Sequence, residues 1–350
     1  MTEVHIFWQK LTHYRLPVLQ RFAVNKKLIL HLAEPCDFNR DCLNFDIVYS
    51  KQYTALGFTF FPVVFKLLFK RKAVLVFEAN LRRLDAIMCI LFNLRVIYWG
   101  IGVSGSYSRK FNMDDWKQSI RGFIFSKAKS VVCYSEIARD SYLRKYPALS
   151  NNFFAANNTI IVDHEFRSKF EGVQKENILL FIGTLYKEKG IFDILDAYFE
   201  SNLKVPFYIV GDGDGFEALV NVIEEMGMQD YVITLGRLDL HNGLADLLSR
   251  APFVLQPYQA GLTIQTAASF GCLSLVLTDC ITGGEVQDLD KLDFGFSFDK
   301  IGEMFQFISS EFKQGFSVNF ANARDNYWRY RNGDQLLDVL DKAVLNALRF

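Results

Sequence analysis

The sequence has no excess of charge of either sign, because 39 lysines and arginines balance 39 aspartates and glutamates. A strongly basic or acidic balance is typical of proteins that bind nucleic acids or other highly charged partners. The composition therefore predicts no nucleic-acid partner. Any basic surface must be local.

Cysteine is scarce and scattered, and no two cysteines have the Cys-x-x-Cys spacing of metal or redox motifs. Several cysteines fall inside apolar runs, where a thiol behaves as a small buried hydrophobic group. We therefore expect a reducing, cytoplasmic compartment. The first ten residues contain an early acid and no long apolar core, so we expect no targeting segment. The six cysteines are Cys36, Cys42, Cys89, Cys133, Cys272 and Cys280.

Long hydrophobic runs are also missing. The longest uncharged apolar run, 53–65, is too short to span a bilayer and contains Pro62. The overlapping stretch Phe58–Lys72 is aromatic and aliphatic, with cationic side chains towards its end. Such a segment is typical either of a helix lying in a membrane interface or of a core-facing helix with a solvated basic end. The sequence leaves both interpretations open.

The sequence does contain a regular alternation of apolar runs and segments with helical periodicity. Half of its residues are hydrophobic and 22% are charged, as in folded proteins, and 350 residues are enough for two domains. Continuous apolar strands that alternate with helices predict parallel sheets covered on both faces. In the first half, helices are predicted at 14–24, 54–69, 82–94, 114–127 and 136–146.

We expect two α/β domains joined by a linker. The polar segment 163–176 is the predicted linker, which gives an N-terminal domain at 1–165 and a C-terminal domain at 166–332. The amphipathic segment 333–350 is expected to pack back on the N-terminal domain. Two such domains are expected to enclose a cleft between their strand ends, where ligands bind.

The stretch 177–215 carries the strongest functional signal. It reads as strand, glycine turn, helix, strand and second glycine turn, with lysines in the first turn. Ligands of parallel sheets bind beyond the carboxyl ends of the strands. Helix N-termini at such ends favour anions. The sequence therefore predicts a phosphate-containing ligand here.

Six motifs in order resemble the C-terminal domain of the retaining, GT-B-fold glycosyltransferases of family 4. They are FIGTLYKEKG (181–190), YIVGDGDG (208–215), LGRLD (235–239), LADLLSRAPFVLQPY (244–258), AASFG (267–271) and TDCITGGE (278–285). The resemblance implies an α/β GT-B fold, in which two Rossmann-like domains with parallel sheets face a central cleft. It also implies a hexosyltransferase-like reaction with retention of configuration and no obligatory metal.

The resemblance also implies roles for individual residues. Gly183 and Lys189 would face the donor diphosphate, and a helix N-terminus at Gly261 would add backbone N–H groups. The resemblance implies a catalytic role for Lys189. Arg15 and His13 are expected to join it for another reason, since they follow the first predicted strand at the expected cleft, where an arginine could clamp a phosphate bidentately. The donor-binding residues implied are Gly183, Thr184, Lys187, Gly211, Asp212, Gly213, Leu235, Gly236, Arg237, Tyr258, Gly261, Leu262, Thr263, Thr266 and Glu285.

The chain departs from this family at several positions. Thr184 stands where the family often has arginine, and Tyr258 and Thr266 stand where it often has two glutamates. These departures leave a second interpretation open, a catalytically inactive GT-B-like binding subunit. Glu285 could likewise bind sugar hydroxyls or be an exposed loop acid.

Two other interpretations of the glycine turn at 211–215 are disfavoured. Phe216 stands where a dinucleotide fingerprint needs its third glycine, so a nicotinamide cofactor is not predicted. Asp212 and Asp214 have the spacing of a metal-binding acid pair, but a turn with Asp214 as helix cap is the favoured interpretation. We therefore predict no metal and no cofactor.

The expected function is transfer of a sugar from a nucleoside diphosphate sugar to a hydroxyl of a saccharide or lipid-linked saccharide. The N-terminal domain, 1–165, would bind this acceptor and 166–332 would bind the donor. The expected setting is polysaccharide biosynthesis, such as that of O-antigen or capsule. A cytoplasmic protein that contacts the inner face of the membrane peripherally would suit this setting.

Overall fold

The computed structural model describes residues 1–36, 38, 42–106, 109–112 and 116–349, and at 104–106, 109–112 and 187 it describes the backbone alone. The chain divides into two compact units. Unit 1 comprises Met1–Ile161 and Gly333–Phe350, and unit 2 comprises Val162–Asn332.

Unit 1 contains a seven-stranded sheet in which all neighbouring strands are parallel. Its strands lie in the order β11-β10-β7-β6-β1-β2-β3. The elements are β1 (Thr2–Trp8), α1 (Arg15–Phe22), β2 (Lys26–Leu32), β3 (Asp46–Tyr49), β4 (Tyr53–Ala55), β5 (Phe58–Phe60), α2 (Val64–Leu67), β6 (Val74–Glu78), α3 (Leu84–Leu91), β7 (Arg95–Gly100), β8 (Ser104–Ser106), β9 (Arg109–Asn112), α4 (Trp116–Phe125), β10 (Ser130–Cys133), α5 (Glu136–Lys145) and β11 (Phe153–Ala155).

Unit 2 contains a second parallel sheet, with six strands in the order β14-β13-β12-β15-β16-β17. Its elements are α6 (His164–Ser168), β12 (Leu179–Ile182), α7 (Ile191–Ser201), β13 (Phe207–Val210), α8 (Phe216–Glu225), β14 (Val232–Thr234), α9 (Ala245–Arg250), β15 (Phe253–Leu255), α10 (Thr263–Ser269), β16 (Leu273–Leu277), α11 (Gln287–Lys291), β17 (Gly295–Phe298), α12 (Ile301–Gln314) and α13 (Phe320–Tyr330).

The final helix, α14 (Asp334–Leu348), belongs to unit 1. It buries one stripe at helical spacing, Leu336, Leu340, Ala343, Val344 and Ala347, against the same face of the sheet as α1. Ser130 Oγ in β10 donates to the Ala343 carbonyl over 2.9 Å. The C-terminal helix is thereby fixed to the sheet formed by the beginning of the chain.

The predicted fold class is confirmed, because each unit is a Rossmann-like parallel sheet with helices. Strands such as β6, β10 and β16 are apolar and buried along nearly their whole length. Both faces of each strand must therefore be covered, and this requires helices on both sides of the sheet.

The helix predicted at 54–69 is wrong. Residues Tyr53–Ala55 and Phe58–Phe60 form an antiparallel hairpin instead. Leu56 and Gly57 both have positive φ, of 51° and 79°, which is the backbone of a tight two-residue hairpin turn. Only α2 (Val64–Leu67) is helical in this segment, so the idea of one long helix from Phe58 onwards fails as well.

The segment predicted as a linker, 163–176, is not entirely loop. Asp163 caps α6 by accepting a hydrogen bond from Phe166 N over 2.9 Å. Arg167 in this helix is buried and stacks on Trp328 at 4.6 Å. Both residues belong to unit 2.

No helix in the described ranges has the length and hydropathy needed to cross a bilayer.

Two buried histidines connect β1 to β2. His5 Nδ1 and His31 Nε2 lie 2.9 Å apart, and His5 Nε2 lies 2.8 Å from a Glu3 carboxylate oxygen. Ser50 Oγ is 3.3 Å from the other nitrogen of His31. Burial, and then the charge of His5, lower the pKa of His31 to about 4. The two rings therefore favour a neutral state inside the fold.

We expect unit 1 to lose stability as pH falls from about 6.5 to about 4. In this window the unfolded His31 ring takes up a proton and the folded ring does not, so acid favours unfolding. The loss is up to about 3 kcal/mol. Urea unfolding at a series of pH values measures it. The His31→Gln variant should show a smaller loss, and His13→Gln, which removes an exposed ring, should behave as the unmodified protein.

Candidate functional site

Five loops of unit 2 follow its parallel strands and therefore lie at one edge of the sheet, the edge where such folds bind ligands. We call them the edge loops. They are 183–190, 211–215, 235–239, 256–262 and 278–285, after β12, β13, β14, β15 and β16 respectively.

The first two edge loops pack backbone against backbone. A Cβ on Gly211 would lie 1.8 Å from the Gly183 carbonyl oxygen, and one on Gly213 would lie 2.7 Å from the Leu185 carbonyl oxygen. Leu185 N also donates to the Asp212 carbonyl over 3.0 Å. Both glycines have φ of 153°, which side chains rarely adopt. No other residue type fits Gly211 unless the loops separate.

This packing explains why glycine occupies positions 211 and 213. The resemblance implies that these glycines let the backbone approach a nucleotide, but a side chain at either position would meet the neighbouring loop. Gly183 differs, since the nearest atom to its would-be Cβ is 3.6 Å away. Thr184 and Asp212 are exposed at the same edge. A role for these residues in donor binding stays a prediction.

Lys189 lies beside these packed loops, with its Cδ 3.9 Å from the position of a Cβ on Gly183. It ends a 3-10 turn at Lys187–Lys189, and its backbone N–H donates to the Tyr186 carbonyl over 3.0 Å. Its ammonium lies 6.0 Å from the centre of the Tyr186 ring. Partial burial lowers the pKa of Lys189 by desolvation. The side chain of Lys187 lies outside the described residues.

The loop after β15 is joined to the loop after β12 by two tyrosines. Tyr186 Oη donates to Gln259 Oε1 over 2.6 Å. Tyr258 packs on Gly190, where a Cβ would lie 2.6 Å from its ring. A hydrogen bond with Asp193 and burial raise the pKa of Tyr258 to about 12. Tyr258 thus positions the start of α7 as well as facing the edge.

The N-terminus of α10 lies at the same edge. The helix begins at Thr263, so the N–H groups of its first turn have no acceptor within the helix. Gly261 and Leu262 precede it and accept hydrogen bonds from Ile264 N and Thr266 N. Thr266 Oγ1 donates back to the Leu262 carbonyl over 2.9 Å. The hydroxyl of Thr266 therefore stabilises this turn.

The side chain of Glu285 is buried within its loop. The residue is 8% exposed, and Thr282 Oγ1 donates to its carboxylate over 3.2 Å. This excludes the interpretation of Glu285 as an exposed loop acid. Ile281 N donates to the Tyr258 carbonyl over 2.7 Å, which joins this loop to the one after β15.

The loop after β14 completes the edge. Gly211 N donates to the Gly236 carbonyl over 2.8 Å, which positions Leu235 and Arg237 on either side with exposed side chains. Backbone and side-chain contacts therefore run without a break from this loop to Glu285. The structure brings all the predicted donor-binding backbones of unit 2 to one edge. The sequence analysis does not single out Tyr186, Asp193 or Gln259. Tyr186 lies within the motif at 181–190, but its partner Gln259 is 73 positions away.

The structure gives no support to a metal site at Asp212 and Asp214. Asp212 Oδ1 accepts a hydrogen bond from Gly213 N over 2.8 Å. The expected cap by Asp214 is wrong, since Gly215 is the N-cap of α8 and no side chain caps it. Within the described ranges, no three His, Cys, Asp or Glu side chains group as metal ligands.

The two catalytic candidates in unit 1 differ in their surroundings. Arg15 is 6% exposed, and its guanidinium lies 4.7 to 5.6 Å from the ring centres of four aromatic residues. These are Trp8, Tyr14, Trp99 and Tyr134. Arg15 also donates to Tyr134 Oη.

Stacking covers the faces of a guanidinium, so only the edge of Arg15 remains for an anion. A bidentate phosphate clamp by Arg15 is therefore restricted to the N–H groups on that edge. His13 is exposed, and its ring lies 4.9 Å from that of Phe38 in an edge-on arrangement. A catalytic role for either residue stays a prediction.

Residues 162–282 match the family model described as glycosyl transferases group 1. HepE of Anabaena, solved in complex with UDP, is 15% identical with a TM-score of 0.68, and the match covers 99% of this chain and 98% of that chain. The chain has the GT-B fold. The matched family segment contains four of the edge loops and most of the fifth.

Two further solved structures support the same fold. The lipopolysaccharide outer core galactosyltransferase WaaB in its apo form is 12% identical, with a TM-score of 0.67 and 99% coverage of both chains. WaaG, a glycosyltransferase involved in lipopolysaccharide biosynthesis, is 13% identical with a TM-score of 0.58, covering 97% of this chain and 99% of that chain. No curated protein matches the sequence.

Replacing Gly211 by alanine should destabilise unit 2 by about 3 kcal/mol or more, because its Cβ overlaps a carbonyl oxygen. The control is Gly227→Ala, which also has positive φ but has open space around its Cβ. That change should cost only about 1 kcal/mol. Chemical denaturation of both variants measures the difference. Equal losses would show that the contact between the loops is not rigid.

Proposed function

We propose that the protein is a glycosyltransferase that takes a sugar from a nucleoside diphosphate sugar. The observation that carries the proposal is the continuous set of edge loops around Lys189, within the segment that matches the group 1 glycosyl transferases. UDP is the first nucleotide to test, since HepE was solved with UDP.

The donor diphosphate would lie between Lys189 and the N-terminus of α10. Charge develops on the leaving diphosphate as the glycosidic bond to the nucleotide breaks, and a positioned cation and N–H groups stabilise that charge. Partial burial strengthens such an interaction, because fewer waters compete for the ammonium. Lys189 can thereby act without a metal, and we propose that the reaction needs no metal or other cofactor.

The remaining edge residues would hold the rest of the donor. Leu235 and Arg237 are exposed beside Gly236 and would contact the nucleotide base, while Glu285 would accept hydrogen bonds from sugar hydroxyls. The carboxylate of Glu285 is held by Thr282, so its direction is set before the donor binds. We propose transfer with retention of configuration, as in the family that the motifs resemble.

The acceptor would be a hydroxyl of a saccharide or lipid-linked saccharide bound by unit 1. Arg15 and the rings around it lie at the carboxyl ends of β1, β7 and β10, where a parallel sheet binds ligands. Trp8 and Trp99 are buried and therefore hold the guanidinium in place, while its edge would bind an acceptor phosphate. We propose polysaccharide biosynthesis in the cytoplasm, such as that of O-antigen or capsule.

We expect a nucleoside diphosphate sugar to raise the unfolding temperature of the protein, since a ligand of the folded state stabilises it by mass action. At a concentration about 100 times the dissociation constant, the gain is about 2.7 kcal/mol. Thermal unfolding with UDP-, GDP- and ADP-sugars measures it. If none of them shifts the transition, the enzyme proposal fails and a binding subunit becomes the better interpretation.

Lys189→Ala should reduce turnover by about 100-fold or more, because one cation at the developing charge is lost. The unfolding temperature should change little, since the side chain is only half-buried. Steady-state sugar transfer with the cognate donor measures the effect. Lys204→Ala removes an exposed lysine of the same unit and is the control. Full activity in Lys189→Ala would remove this residue from the mechanism.

A further inference from the structure

Positive charge is concentrated in one part of an otherwise neutral chain. Residues 51–130 contain 14 lysines and arginines but only 4 aspartates and glutamates, a net charge of +10. This segment runs from the end of β3 to the start of β10 and contains α2, α3 and α4. The balancing negative charge lies elsewhere in the chain. One region of unit 1 is therefore strongly basic.

The three helices of this region form one layer on one face of the sheet. Their inner sides, including Val64, Ala86, Cys89 and Phe125, belong to a single buried cluster with the strands of that face. The helices α1 and α14 cover the opposite face. The outer sides of α2, α3 and α4 therefore face away from the sheet together. We call these outer sides, with the β4–β5 hairpin that contacts α3, the outer face.

The outer face is apolar where a solvated surface would be polar. Phe69 is 90% exposed, Leu91 80%, Trp116 70% and Phe123 62%. In α4 the exposed residues Trp116, Ile120 and Phe123 recur at helical spacing, so the helix presents an apolar stripe outwards as well as inwards. Large apolar groups exposed on one layer of helices mark an interaction surface.

Cations accompany these exposed rings. Lys127 Nζ lies 5.3 Å from the ring centre of Phe123, and Lys117 Nζ lies 5.8 Å from that of Trp116. Lys66, Arg71 and Lys72 are exposed on and after α2. Aromatic and aliphatic groups mixed with Lys and Arg are typical of surfaces that lie in the interface of an anionic bilayer.

We propose that the outer face binds the surface of an anionic lipid bilayer. The rings and leucines would enter the boundary between head groups and acyl chains, and the cations would contact lipid phosphates. A nucleic acid is a poorer occupant, because Leu56, Leu91 and Phe69 are almost fully exposed hydrocarbon without hydrogen-bonding groups. The exposed cations Lys66, Arg71, Lys72 and Lys127 also distinguish this surface from the charge-depleted core of an interface between proteins.

The position of α4 places this surface beside the carboxyl edge of the unit 1 sheet, where the acceptor is proposed to bind. The helix begins at Trp116, after the carboxyl end of β7, so the apolar stripe starts at the same sheet edge as Trp99 and Arg15. If the proposed function holds, this edge lies next to the bilayer when the protein is docked. The acceptor class that fits is then a lipid-linked saccharide, whose sugar end reaches the site from the membrane.

Vesicle co-sedimentation tests the proposal with the full-length protein. We expect binding to vesicles that contain phosphatidylglycerol, weak binding to pure phosphatidylcholine, and loss of binding at high salt. The variant Trp116→Ser/Phe123→Ser should bind these vesicles about tenfold or more weakly, because it lacks two rings that would enter the bilayer. The variant Lys66→Glu/Lys72→Glu should bind the anionic vesicles at least about fivefold more weakly for each lysine replaced. The control Phe199→Ser/Leu345→Ser removes exposed apolar groups from other surfaces and should bind normally.

Protection by UDP-sugar is measured on the two outer-face variants and should be unchanged, since their substitutions lie in unit 1 and the edge loops in unit 2. No binding to any vesicle, or equal binding by all variants, would overturn the membrane proposal and leave a protein partner as the occupant. Vesicle binding without protection by any nucleotide sugar would support the surface and contradict the proposed function. The two proposals therefore fail separately.

Discussion

The candidate site depends on one contact between two stretches of backbone, the approach of Gly211 to the carbonyl group of Gly183. It leaves no room for a side chain and holds the loops after β12 and β13 together. The Gly211 N–H continues the contact to Gly236. Main-chain geometry, which changes little with solvent or side-chain rotamer, therefore sets the shape of the edge. Lys189 is carried on the loop that this contact positions.

The two units share one architecture but differ in the side chains at their carboxyl edges. The carboxyl edge of unit 2 carries a partly desolvated ammonium, a helix N-terminus and a held carboxylate. The same edge of unit 1 carries the Arg15 guanidinium packed among aromatic rings, of which Trp8 and Trp99 are buried. The proposed division into a donor side and an acceptor side rests on this difference.

Much of the fold could be predicted because buried parallel strands are apolar at nearly every position. That signal is local, and the apolar runs at 73–77, 130–134, 178–182 and 273–277 predict the strands β6, β10, β12 and β16. The hairpin at 53–60 was missed although its aromatic residues favour strands, because the decisive feature is the positive φ of Leu56. Local composition carries little information about that angle.

The candidate site was predictable at its glycines and at Lys189, which lie in recognisable motifs. Its side-chain partners were not, because Tyr186 meets Gln259 across 73 positions and Arg15 meets Tyr134 across 119. No periodicity encodes such pairs. The sequence also could not show why position 211 is a glycine. A glycine can make room for a ligand or for another loop, and only coordinates distinguish the two.

The most direct test of the account is a crystal structure of the protein with UDP bound. The account predicts the diphosphate at the edge loops, within hydrogen-bonding distance of Lys189 Nζ and of the backbone N–H of Thr263 or Gln265, with Gly211 still packed on Gly183. A diphosphate bound away from these loops, or edge loops that must separate at Gly211 to admit it, would contradict the account.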